Sequence, residues 1–107
     1  MQYEINLKER EAIRILADEV ANADYQITSA GSMAFRRYFS SFFHVRQVGA
    51  PDVYTHDSAI RTVKCMSSGA QEAVIALLMA VGAQVDADID NSRASSVLAK
   101  IMSDLVD

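Results

Sequence analysis

The chain has 107 residues, of which 50% are apolar and 22% charged, with a net charge of −4. This length and apolar share suit one folded domain with a modest core of its own and exclude both a disordered tail and a second independent domain. The lone Cys65 excludes an internal disulfide framework of the kind small secreted domains depend on.

Residues 1–8 show no basic start followed by an apolar stretch, so no secretory leader is expected. The longest apolar run, residues 73–81, is far below the roughly 20 residues that cross a bilayer. A cytoplasmic protein with no membrane contact is the expectation. Charge is unevenly placed: residues 1–31 hold three basic and six acidic side chains, residues 32–70 five and two, and residues 71–107 two and six. A basic middle therefore lies between acidic ends, which argues against blanket affinity for nucleic acid. No repeat or low-complexity tract stands out.

Asn6 can accept from the free amides of a first helical turn, and Glu9 three residues on completes a capping box, which predicts a helix over residues 7–23. Ile13, Leu16, Ala17 and Val20 fall on one face, with Arg10, Arg14, Asp18 and Glu19 mostly on the other. Ile15 lies off that stripe and marks a candidate second contact surface. Residues 25–31 read as a loop in which Thr28, Ser29 and Ser32 can each cap the next helix, with Ser32 preferred. In that helix Phe35, Tyr38, Phe39, Phe42 and Phe43 recur three and four apart, while Arg36, Arg37, Ser40, Ser41, His44 and Gln47 take the other side. Gly49 followed by Pro51 is the expected stop.

Val53 and Tyr54 allow no more than a short β-bridge. Thr55 or Asp57 opens a third helix whose apolar side is Ala59, Ile60, Val63 and Met66. Ser67, Ser68 and Gly69 predict a kink or break, with Ser68 and Gln71 forming a new capping box. Residues 73–81 are apolar all the way round, Gly82 is the expected stop, residues 85–88 a loop, and Asp90 or Asn91 the cap of a last helix carrying Val97, Leu98, Ile101, Met102 and Leu105 on one stripe. The sum is an all-α fold over residues 1–107, a small bundle of four to five helices with a possible β-bridge near Val53.

Each helix of a small bundle normally keeps one side in water, and a helix apolar all round breaks that rule. Either neighbouring helices enclose residues 73–81 within one chain, or part of that surface meets a second copy or another protein. Closed homo-oligomers are the commonest assemblies, so self-association is expected, with Ile15, Val74, Ile75, Leu78 and Met79 as candidate interface residues.

Catalysis has little support. His44 and His56 are the only histidines, and neither sits in a metal-binding spacing. Cys65 and His56 form a conceivable nucleophile pair with Arg61 one turn before the thiol, but a lone cysteine is more often an inert packing residue. Asp86, Asp88 and Asp90 alternate like the start of a calcium loop, yet Asn91 stands where glycine is needed and Val97 where the closing glutamate belongs. No phosphate-binding glycine loop or nucleophile-elbow serine is present. No metal or cofactor is expected, and the chain does not read as an enzyme.

Two readings remain. The first is a non-catalytic protein-interaction module, an adaptor, assembly subunit or inhibitor with a protein partner. The second is a module for nucleic acid, a nucleotide or another phosphorylated ligand, bound through Arg36, Arg37, His44, Arg46, Arg61 and Lys64, since arginine forks suit phosphates. The Phe35, Phe39 and Phe42 row reads as core.

Overall fold

The computed structural model describes residues 2–24 and 29–106. The elements run β1 (Tyr3–Ile5), α1 (Leu7–Ala21), α2 (Ser29–Phe42), β2 (Phe43–Val45), α3 (His56–Lys64), α4 (Ser68–Asp88) and α5 (Ala94–Val106). It is a small, mostly α bundle with a two-stranded parallel sheet at one edge.

The Asn6 side chain accepts from the Glu9 amide at 2.8 Å while the Glu9 carboxylate accepts from the Asn6 amide at 2.9 Å, so two orphan donors of α1 are satisfied. The same device opens α3: Thr55 accepts from the Ser58 amide at 3.1 Å, and the Ser58 hydroxyl faces the Thr55 amide at 3.2 Å. Between α3 and α4 the expected break is a true one. Its cap is Ser67 rather than Ser68, and Gln71 reaches back to donate to the Lys64 and Met66 carbonyls, tying the two helix ends together.

Several expectations are corrected. The second helix begins at Ser29, so Ser32 lies inside it and cannot be its cap. The expected loop over residues 25–31 and the Thr28 cap fall largely outside the described residues. The helix also ends at Phe42 rather than running to Gly49: residues 43–45 leave it as β2, paired in parallel with β1 in the register Tyr3 to Phe43, Glu4 to His44 and Ile5 to Val45. The ladder continues through the Arg46 amide donating to the Ile5 carbonyl at 2.8 Å and the Leu7 amide to that of Val48 at 3.1 Å. Gly49, with φ of 81°, turns the chain after this strand instead of stopping a helix. The β-bridge expected near Val53 is absent from the described ladder; Val53 is a buried core residue in extended chain.

The largest correction concerns Gly82 and residues 85–88, which do not stop α4 but lie inside it. Gly82 is buried where α4 crosses α1 and α5, and a Cβ there would stand 3.5 Å from Val20 Cγ1 and 3.7 Å from Leu98 Cδ2. The last helix begins at Ala94 rather than just after Asp90 or Asn91. Asn91 has φ of 55° in the turn, and the first amides of α5 are served by Ser92 Oγ, which accepts from Ala94, and by Asp24, which accepts from Arg93 at 2.9 Å.

By length and composition α4 would pass for a membrane-crossing helix, a test that core helices of soluble proteins also meet. It runs through the middle of the bundle: α2, α1 and α5 pack along it, while α1 also packs on α3. Val74, Leu77, Leu78, Val81 and Val85 are fully buried with Ile13, Leu16, Val20, Val63 and Ile101 in one core. Of the two alternatives for residues 73–81, full enclosure within one chain is not what the structure has, because Ala76 and Met79 face outward, Met79 with 52% of its surface exposed. A 21-residue helix flanked by three others still turns one strip to the outside.

Candidate functional site

Two places in the bundle bring chemistry together. The first is a cleft of about 770 Å³ between the C-terminal half of α1 and the face of α5, closed at one end by His56 at the start of α3. His56 Nδ1 lies 2.7 Å from Glu19 Oε1 and Nε2 lies 2.7 Å from Asp104 Oδ2. One imidazole thus stitches α1, α3 and α5. A ring that donates to a carboxylate from both nitrogens carries both N–H groups, as the imidazolium does. Partial burial pulls the His56 pKa down, but hydrogen bonds to Asp104 and Glu19, with their negative charge, outweigh it and hold it above the ordinary histidine value.

Asp18, one residue before Glu19, accepts from Arg14 Nη1 at 2.8 Å, and Arg14 also grips Glu11. Partial desolvation lifts the Asp18 carboxyl and Arg14 pulls it back only in part, so its net shift is upward. The cleft floor is apolar, from Ala23, Val97 and Ile101, and Arg93 and Lys100 stand along its α5 side.

The second place is the outward strip of α4. On its α2 side Met33, Ala34, Arg37 and Tyr38 meet Gln84 around one shallow cleft, and on its α5 side Met79, Gly82, Ala83 and Asp86 meet Leu98, Ala99 and Met102 around another of about 260 Å³. Met33 is 69% and Tyr38 37% exposed. Methionine is flexible and polarizable, which suits it to surfaces that pack against more than one shape.

The residues singled out in the sequence are distributed as follows. Arg36 shares a cleft with Arg14, Gly31 and Phe35; Arg37 lies on the α2 side of the α4 strip, 6.0 Å from the Tyr38 ring centre; and Arg61 lines a third cleft with Lys8, Glu9, Asp52 and Cys65. His44 is exposed on β2 opposite Glu4, Arg46 is exposed just beyond it, and Lys64 is exposed at the end of α3. No single cleft gathers these six. Of the candidate interface residues, Val74 and Leu78 belong to the chain's own core, Ile15 and Ile75 are half-buried against it, and Met79 alone is exposed.

Phe35, Phe39 and Phe42 pack partly buried against the core as expected, and Phe43 extends the row into β2, with ring centres 5.3 Å apart for Phe35 and Phe39 and 5.4 Å for Phe39 and Phe43. His56 opens α3 and Cys65 follows its last residue, so about 13 Å of helix rise separates the conceivable nucleophile pair. Asp86 and Asp88 stand two apart on a helix, roughly 200° round its axis, and so diverge. Among the described residues no three His, Cys, Asp or Glu side chains converge as metal ligands would.

Sequence reasoning did not reach Glu19, Asp104, Asp24 or Arg93 as site residues. Glu19 lies 37 positions from His56 and Asp104 48 positions, so no local pattern could pair them. The only hint was that each is an acidic residue beside an apolar stripe. The chain matches no protein-family model, no curated protein and no solved structure at a significant level.

Proposed function

We propose that this protein is a small, non-catalytic interaction module that works by self-association through the methionine-bearing face of α2, α4 and α5. The observation that carries the reading is the strip of α4 left uncovered by its own chain. Met79 projects from the outward side of α4, with Met33 and Tyr38 exposed to one side and Met102 and Leu98 lining the groove on the other. Exposed apolar surface that is contiguous and rimmed by polar groups marks interaction sites more often than chance.

A second copy suits this face better than a dissimilar partner because its edges differ in charge. Arg37 stands on the α2 edge and Asp86 on the α5 edge. A two-fold axis running along α4 sets the α2 edge of one copy against the α5 edge of the other, so the same patch is self-complementary in charge as well as apolar at its centre. Such a contact is what an assembly subunit needs.

The test is the mass in solution by light scattering and sedimentation across micromolar to near-millimolar concentrations, for the wild type and for Met79→Glu. The expected result is a wild-type dimer and a monomeric variant with unchanged helical circular dichroism. A wild type that stays monomeric throughout rejects self-association, and a variant that remains dimeric rejects this face.

A further inference from the structure

The cleft between α1 and α5 is a different surface from the α4 strip, and its two walls differ in charge, with Asp18 and Glu19 on one and Arg93 and Lys100 on the other. Both carboxylates on its α1 wall are already engaged within the protein: Asp18 by Arg14 at 2.8 Å, which Glu11 shares, and Glu19 by His56 at 2.7 Å, which Asp104 shares. On the α5 wall the side chains of Arg93 and Lys100 have no hydrogen-bond or ion-pair partner among the described residues, while the Arg93 backbone is engaged through its amide by Asp24 and through its carbonyl by the Val97 amide. Arg93 immediately precedes α5 and Lys100 lies seven positions on, inside it, and both line the cleft. Between them Val97 and Ile101 supply an apolar floor, continued by Ala23.

A concave site of about 770 Å³ with an apolar floor and a few convergent polar groups has the size and make-up of a small-molecule pocket. With the carboxylates of one wall engaged inside the protein and the cations of the other uncommitted, the groups left to meet a ligand are positive and favour an anionic one. We infer that the α1–α5 cleft binds a small organic anion, an acidic head group on an apolar body. Arg93 and Lys100 take the head and Val97, Ile101 and Ala23 take the body. Arginine offers a carboxylate or a phosphate two parallel donors, and lysine adds a point charge. The His56 stitch keeps the two walls at a fixed spacing by joining Glu19 of α1 to Asp104 of α5 through one ring.

The experiment is a two-dimensional amide NMR titration of the full chain with octanoate and, in parallel, with octyl phosphate, octylamine and inorganic phosphate. The same series is run on an Arg93→Gln, Lys100→Gln double variant, both positions being exposed and outside the core. The expected result is saturable shifts confined to residues 18–24 and 93–101 with octanoate or octyl phosphate, the tighter of the two naming the head group. Octylamine and inorganic phosphate leave those amides unmoved. The double variant binds at least about tenfold more weakly, as the loss of charge-assisted hydrogen bonds in a half-open cleft requires.

Four results each overturn the inference: no shift with either amphipathic anion, equal binding of octylamine, saturation by inorganic phosphate alone, or unchanged affinity in the double variant. Shifts centred on Met79 instead would place the apolar body on the self-association face and reject the cleft. Because the readout is local to α1 and α5, failure here leaves the mass measurements on the Met79 variant standing, and the reverse also holds.

Discussion

Replacing Gly82 by alanine should make this protein more stable. A glycine in the interior of a helix costs about 0.8–1.0 kcal/mol relative to alanine, mostly through the backbone freedom it loses on folding. Gly82 lies well inside α4, which runs on to Asp88, and of the described glycines only Gly49 is at positive φ. The added methyl would meet Val20 Cγ1 at 3.5 Å and Leu98 Cδ2 at 3.7 Å, both ordinary van der Waals distances, so it packs without displacing either neighbour. A few tenths of a kcal/mol from that contact bring the expected gain to about 1–1.5 kcal/mol. At about 4–8 °C per kcal/mol for a domain near this size, thermal unfolding followed by circular dichroism should show Tm higher by roughly 4–12 °C. The urea midpoint should rise at unchanged slope. If Gly82 instead ended the helix in a left-handed cap, alanine would be strained there and Tm would fall by several degrees; that sign would refute both the length of α4 and the packing described.

Three further expectations concern the elements that meet around this helix. Because the folded pKa of His56 is raised, its contribution to stability is complete below the ordinary histidine value near 6.5 and is lost as pH rises through the higher folded value. The difference in urea midpoint between wild type and His56→Gln should therefore shrink from pH 6 to pH 8.5, and a difference independent of pH would dismiss the double-carboxylate clamp. Asp24→Ala removes the acceptor for both the Arg93 amide and the Ser92 hydroxyl, and should cost about 1 kcal/mol with loss of amide-exchange protection at the start of α5 rather than elsewhere. Neighbours on α4 should differ sharply: Leu78→Ala, at a fully buried site, should cost about 2–5 kcal/mol, whereas Met79→Ser, measured at a concentration where the chain is monomeric, should stay within about 0.5 kcal/mol.

The sequence was most informative where structure is decided within one or two turns. Asn6 with Glu9, and Thr55 with nearby polar partners, announce helix starts because a cap and its amide lie three residues apart. The apolar stripes of α1, α3 and α5 name their buried faces for the same reason: helical periodicity is a local property. The core residues Ile13, Leu16, Val20, Ile60, Val63 and Ile101 were all legible in this way.

Tertiary structure decided the rest. Residues 43–45 continue an apolar helical pattern, but three backbone pairings with residues 3–5, forty positions away, pull them into a strand. A pairing that distant leaves no periodic signal in so short a segment. Gly82 looks like punctuation until Val20 and Leu98 are brought against it; once packed there it lies inside a helix that runs on to Asp88. The apolar run of α4 could not reveal which residue would be left outside, because that depends on where α2 and α5 dock. The sequence of this protein determines which segments are helical and which faces seek burial, since those follow from propensity and spacing along the chain. Only the packed structure decides the partners of His56, the cations of the α1–α5 cleft and the exposure of Met79, because each is a relation between residues the backbone holds far apart until it folds.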